Sequence, residues 1–278
     1  MTTVTAHGPL APATATAPRA GRLDRVLALV KAEVLLLVRN RTTLFNAVAL
    51  APLMVVFLST VGMVPEGADS AVAGLLLTAL VALALLFVVY YNLTTTLVAR
   101  REELVLKRLL TGDVSRAEIV LACATPAVLV VLAQIVLGVA ATAVWFELPT
   151  VQNPLWIVLA VAGGTILFAL LAAASSGFTR TVEAAQLSTL PVLMVATALS
   201  GLALPLHLMP GAVEQVAQWS PLYPVVALLQ HGFGAVAPDG TVASGALGDV
   251  AQPVAAMAVW IALGVLAATR WMRWEPRR

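Results

Sequence analysis

The sequence predicts an all-α, polytopic membrane protein. It has six transmembrane helices, an N-terminal interfacial amphipathic helix, and a proline-broken extracellular re-entrant segment before the last helix. Three observations predict this. Hydrophobic residues make up 60 % of the 278 positions and charged residues only 11 %, where soluble domains are about half apolar and a quarter charged. The apolar residues gather into long runs. The sixteen Lys and Arg residues fall only in alternate intervals between those runs.

Backbone polar groups cannot go unpaired in hydrocarbon, so each long run should be a helix of ~20 residues. Six qualify: about Leu44–Val64, Ala71–Val98, Ile119–Phe146, Pro154–Ser176, Ala185–Leu204 and Ala251–Thr269. The second and third are long enough to tilt or to project beyond the bilayer. The last reads as short, beginning beside Gln252 and Pro253.

Basic residues are retained on the cytoplasmic side. With the N-terminus inside, the inner segments hold all sixteen, and the outer ones hold only Glu66, Asp69, Glu147, Glu214, Asp239 and Asp249. A five- or seven-span chain would break that partition. The expectation is a multi-pass protein of the cell (plasma) membrane with both termini cytoplasmic. Residues 1–20, rich in Ala, Thr and Pro, read as a disordered cytoplasmic tail. Residues 21–278 form the membrane domain.

Between the tail and the first run, residues 22–41 place Leu23, Val26, Leu27, Val30, Val34 and Leu37 at helical spacing. Arg22, Arg25, Lys31 and Arg39 occupy much of the remaining surface, and Arg41 follows. Such a helix suits the headgroup layer, with lipid as its partner. The outer segment 205–250 carries five prolines and no basic residue. It should form two short helices, one started by Pro210 and one after SPLYP. Trp219 and Tyr223 suit a membrane-interface depth.

Residues 100–116, RREELVLKRLLTGDVSR, hold eight of the thirty charged side chains. The pattern predicts a helix over Glu102–Leu110 with Glu103 paired to Lys107, four residues on. Leu106, Leu109 and Leu110 form its apolar edge. Gly112 suits a left-handed stop, and Ser115–Glu118 reads as a capping box that starts the next helix.

No phosphate-loop, GxSxG or HExxH motif occurs, and one cysteine with three scattered histidines makes no metal cluster. A net charge of +2 does not point to nucleic acid. The runs hold almost no ionisable group, which an ion-coupled carrier would need. Thr94–Thr96 and Gln134 read as interhelical hydrogen-bonding groups, and Gly163, Gly164 and Gly177 as sites of close helix packing. A secondary carrier, or a non-transporting membrane assembly subunit without an ATPase, is the alternative reading.

Taken together, these features resemble the permease subunits of type-2 ATP-binding-cassette (ABC) exporters, which include bacterial multidrug and antibiotic exporters. REELVLKRLLTGDVSR is similar to that family's run R-E-x-G-T-L-[KE]-R-L-L-x-T-P-V-S-R, and SPLYPVVALLQ resembles its N-P-L-x-[YH]…[RQ] segment. Leu104 and Val105 stand where Gly and Thr are usual, Gly112 and Asp113 replace Thr and Pro, Pro224 replaces an aromatic or His, and Gln230 stands for the commoner Arg. The resemblance implies a homodimer or a heterodimer with a second permease. It also implies a separate cytoplasmic ATPase that uses ATP and magnesium, while this chain binds no cofactor and catalyses nothing. Contact with the ATPase would fall to Glu103, Lys107, Arg108, Leu109, Leu110, Gly112, Asp113, Ser115 and Arg116. Pro221, Tyr223, Pro224 and Gln230 would belong to the extracellular segment. The implied substrate is lipophilic or amphipathic: a drug, antibiotic, lipid or glycan-like molecule.

Overall fold

The computed structural model describes residues 22–39, 45, 53, 70–111, 115–202, 204–235 and 247–275. Among them all regular structure is helical. In chain order these are α1 (Arg22–Arg39), α2 (Ser70–Ala84), a π-helical stretch (Leu85–Tyr91), α3 (Asn92–Glu102), α4 (Val105–Leu110), α5 (Arg116–Trp145) and α6 (Pro154–Ser176). There follow α7 (Val182–Ala198), a 3-10 turn (Leu206–Leu208), α8 (Gly211–Ala217), α9 (Tyr223–Phe233) and α10 (Leu247–Trp271).

Four helices are long and apolar enough to cross a membrane: Val72–Glu102, Arg116–Val144, Pro154–Ser176 and Leu247–Trp271. The expected first span, Leu44–Val64, lies outside the described residues apart from Phe45 and Leu53, and the tail of residues 1–20 lies outside them altogether. The fifth run forms a helix of only 17 residues, ending at Ala198 and not at the expected Leu204. Its stop is local: Gly201 takes a left-handed φ of 79°, and the Ser200 hydroxyl accepts from the Leu202 amide at 3.1 Å. The last helix is longer than the run Ala251–Thr269, starting at Leu247 with Pro253 inside it.

Helix α6 is the centre of the bundle. It packs against α3, the π-helical stretch, α9 and α10. Two adjacent glycines make those approaches possible. A Cβ at Gly163 would meet the Met257 sulfur of α10, and one at Gly164 would lie 2.7 Å from Leu85 and 2.8 Å from Val225. Leu85 opens the π-helical stretch, so the broader helix sits where α6 is thinnest. The Asn92 amide there bonds back to the Phe87 carbonyl, five residues away.

Thr94 and Thr95 were expected to bond across helices. They bond within their own: Thr94 Oγ1 donates to Tyr90 O at 2.7 Å and Thr95 Oγ1 to Tyr91 O at 3.2 Å. Those carbonyls belong to the end of the π-helical stretch, where the regular ladder is disturbed.

Outward faces of α5, α7 and α10 carry exposed Leu129, Leu132, Val136, Leu187, Met194, Leu263 and Leu266. The bundle therefore has an apolar core and an apolar perimeter. Only a hydrocarbon environment makes that combination stable, since water penalises such large apolar faces.

The two short helices of the segment after α7 form where they were expected. Pro210 precedes α8, and Pro224 sits in the first turn of α9. Helix α9 starts at Tyr223, inside SPLYP and not after it. Tyr223 is buried, and so is every residue through Gly232.

The packing also fixes where α9 lies along α6. Val225 meets Gly164 at the middle of α6, and Gly232 meets Ile157 near its start. The Gly232 carbonyl accepts from the amides of Gln152 at 2.9 Å and Asn153 at 3.2 Å. So α9 climbs antiparallel to α6 from mid-length to its N-terminal end. Its eleven residues span about 16 Å, roughly half the length of the 23-residue α6.

Gly177 tests the packing at the other end of α6. A Cβ there would collide with the backbone carbonyl of Trp271, which cannot rotate away, whereas one at Gly211 meets nothing within 4 Å. We expect Gly177→Ala to cost about 1–3 kcal/mol and Gly211→Ala to be neutral, read as thermal unfolding in detergent micelles. Equal melting temperatures for the two variants would contradict this packing.

Candidate functional site

The charged stretch around residue 100 lies at the end of the bundle where α3 stops, α5 begins, α6 turns into α7, and α10 ends. Helix α3 closes at Glu102 because Leu104 adopts a left-handed conformation, φ 61° and ψ 12°. It is the one non-glycine residue with positive φ among the described residues. That position is where the resembled motif carries glycine, so the motif's glycine has a physical meaning: the chain must turn left-handed between α3 and α4. A leucine there costs roughly 1–2 kcal/mol in backbone strain.

The break corrects two expectations. The short helix starts at Val105 and not at Glu102, and Glu103 falls in the turn. Lys107 Nζ instead pairs with Glu275 Oε1 at 3.1 Å, from the far end of the chain. With side chains 53 % and 66 % exposed, that pair contributes no more than about 1 kcal/mol.

Helix α4 is amphipathic. Leu106 is buried, Leu109 and Leu110 are half-buried against the core, and Lys107, Arg108 and Thr111 face solvent. Glu102 and Glu103 are exposed beside them. Gly112 and Asp113, the expected stop, lie outside the described residues. Helix α5 opens with the predicted capping box: Ser115 N donates to Glu118 Oε2 at 2.7 Å and Glu118 N to Ser115 Oγ at 3.4 Å. The Arg116 guanidinium lies over the Trp274 ring, 5.7 Å from its centroid.

Arg101 heads the REELVLKRLL run but was given no site role from sequence, yet it is the most deeply placed charge among the described residues. Its side chain is 1 % exposed. Nη1 donates to Ser176 O at 2.6 Å, and Nη2 to Thr179 O at 2.5 Å and Arg180 O at 3.4 Å. Ser176 ends α6, so the cation closes carbonyls at a helix C-terminus, where the backbone dipole favours positive charge. No local pattern announces this, because the acceptors are main-chain atoms some seventy-five residues away.

After that turn, Thr181 Oγ1 accepts from the Ala184 amide at 3.2 Å and caps α7. Glu183 is exposed, and hydrogen bonds to its backbone amide, and then to Thr181, hold its carboxyl below the usual range.

The remaining candidates fall elsewhere. Lys31 and Arg39 are exposed on α1, which packs along α5. The side chains of Arg22 and Arg25, and all of Arg41, lie outside the described residues. In the α8–α9 segment Pro221 is half-buried, while Pro224, Gln230 and His231 are buried. The Gln230 side-chain oxygen is buried with no hydrogen-bond partner among the described residues, a cost of about 1–3 kcal/mol. His207 is exposed. Among the described residues no group of three His, Cys, Asp or Glu could hold a metal ion.

A family model described as ABC-2 type transporter matches residues 24–233, from α1 through the end of α9. No curated protein matches the chain.

The strain at Leu104 is testable. We expect Leu104→Gly to keep or raise the melting temperature, and Leu104→Val, β-branched at the same φ, to lower it, at a stability cost of about 1 kcal/mol or more. The reverse order would show that the left-handed turn is absent.

Proposed function

The chain belongs to the ABC-2 type transporter family, and from that membership we propose that it is the permease subunit of an exporter powered by a separate ATPase. The observation that carries the reading is the family match over residues 24–233, which includes α4 and the re-entrant α9. Two copies, or this chain and a second permease, enclose a path for a lipophilic or amphipathic substrate such as a drug, antibiotic, lipid or glycan-like molecule. Six helices cross the plasma membrane of a bacterium with both termini cytoplasmic. The α4 end faces the cytoplasm, and α1 lies against the headgroups with lipid as its partner.

In this reading α4 is the contact with the ATPase. Its buried Leu106 and half-buried Leu109 and Leu110 seat it against the bundle, and its exposed Lys107 and Arg108 face outward. Such a helix, joined to α3 by one turn and leading to α5, transmits the ATPase's closure around ATP and magnesium as movement of two long helices. Helix α9 reaches half-depth from the outer end, and closes that end of the path while the inner end accepts substrate.

Replacing Lys107 and Arg108 together by Ala, in a strain co-expressing an ABC ATPase subunit that co-purifies with the wild-type chain, tests the contact. Both are exposed, so insertion and melting should be unchanged. Co-purification of the ATPase should weaken about tenfold or more. Retained association and undiminished stimulation of ATP hydrolysis would remove α4 from the interface.

A further inference from the structure

Arg101 spends a buried charge on three main-chain oxygens, and its place in the chain suggests a purpose. It lies in the last turn of α3, immediately before the left-handed break at Leu104. Any displacement of α4 passes through that turn. The acceptors span the whole α6–α7 turn, from the last residue of α6 to the residue before the Thr181 cap of α7. Because they are backbone carbonyls, they follow the backbone itself and cannot swing aside as side chains would.

The same turn is held at a second point and abutted at a third. The Tyr90 hydroxyl meets the Ser175 hydroxyl at 3.2 Å, so the helix bearing Arg101 grips α6 twice. Phe178 packs its ring against Trp271 at 5.1 Å, and Gly177 leaves room for the Trp271 carbonyl. The end of α10 therefore rests on the turn that Arg101 clamps.

We propose that Arg101 is a positioning residue for energy coupling, the joint that makes the α6–α7 turn move with the end of α3. Displacement of α4 is then delivered to α6 and α7 as well as to the two helices flanking α4. Charge-assisted bonds are short and about twice as strong as neutral ones, and a helix C-terminus opposes release of the cation. The exposed Lys107–Glu275 pair is the weak contact of this region, and Arg101 the firm one. The proposal rests on the reading of α4 as the ATPase contact and adds where its movement goes.

The experiment uses the full permease with its co-expressed ATPase in lipid nanodiscs, comparing wild type, Arg101→Gln and Arg101→Lys. Co-purification should be unchanged in both variants, because α4 keeps its exposed face. Stimulation of ATP hydrolysis by the permease should fall about tenfold in Arg101→Gln, within the usual range of a coupling between sites. Arg101→Lys, which keeps the charge but not the fork, should recover part of it.

Spin labels at Glu102 and Glu183, in a Cys123→Ala background, read the joint itself. Their separation should be the same in the nucleotide-free and vanadate-trapped wild-type complex, and should differ between those states in Arg101→Gln. If Arg101→Gln does not insert, Arg101→Lys carries the test through the same two readouts. Hydrolysis and label separation equal to wild type in the variants would overturn the joint and leave ATPase docking intact. A wild-type permease that captures no ATPase would overturn the docking reading and this proposal with it.

Discussion

The close approach of neighbours to α6 is the constraint on which the rest of the structure depends. Two glycines at mid-helix admit Met257 on one side and Leu85 with Val225 on another. In hydrocarbon no solvent term draws helices together, so contact area between backbones supplies the attraction. The π-helical stretch, the half-length α9 and the last helix are each set by where α6 is thin. Widening α6 at Gly164 would push both the π-helical stretch and α9 away at once.

The two ends of α6 are finished by different chemistry. At the N-terminal end, Asn153 caps the helix, accepting from the Leu155 amide at 3.1 Å, and the Gly232 carbonyl of α9 takes the amides just before it. At the C-terminal end, the Ser176 hydroxyl donates back to the Ala173 carbonyl at 2.7 Å, and the Arg101 guanidinium closes the Ser176 carbonyl from α3. One end is therefore tied to a half-length helix, and the other to the neck of the charged segment. Movement at either end has a defined neighbour to act on.

Much of this was legible in sequence because it is governed by local rules. The Ser115–Glu118 capping box, the Pro154 start of α6 and the Pro210 start of α8 each depend on residues within one turn. Gly163, Gly164 and Gly177 were legible as packing sites, though not their partners. The pairing of Glu103 with Lys107 was misread because it assumed an unbroken helix. Leu104 turns left-handed under the pressure of tertiary placement, against its own preference. The burial of Tyr223 was not legible, because composition cannot distinguish an aromatic ring at the headgroups from one enclosed between helices.

By itself the sequence determined the membrane-embedded, all-helical class, the clustering of basic residues in alternate intervals, and most helix starts, since hydropathy, charge and capping act over short stretches of chain. Only the tertiary structure decided that the α6–α7 turn is closed by Arg101, that Lys107 meets Glu275, that the chain turns left-handed at Leu104, and that α9 is enclosed along half of α6. The reason is physical. Those features pair atoms far apart in the chain, or impose a backbone conformation that the residue would not choose alone.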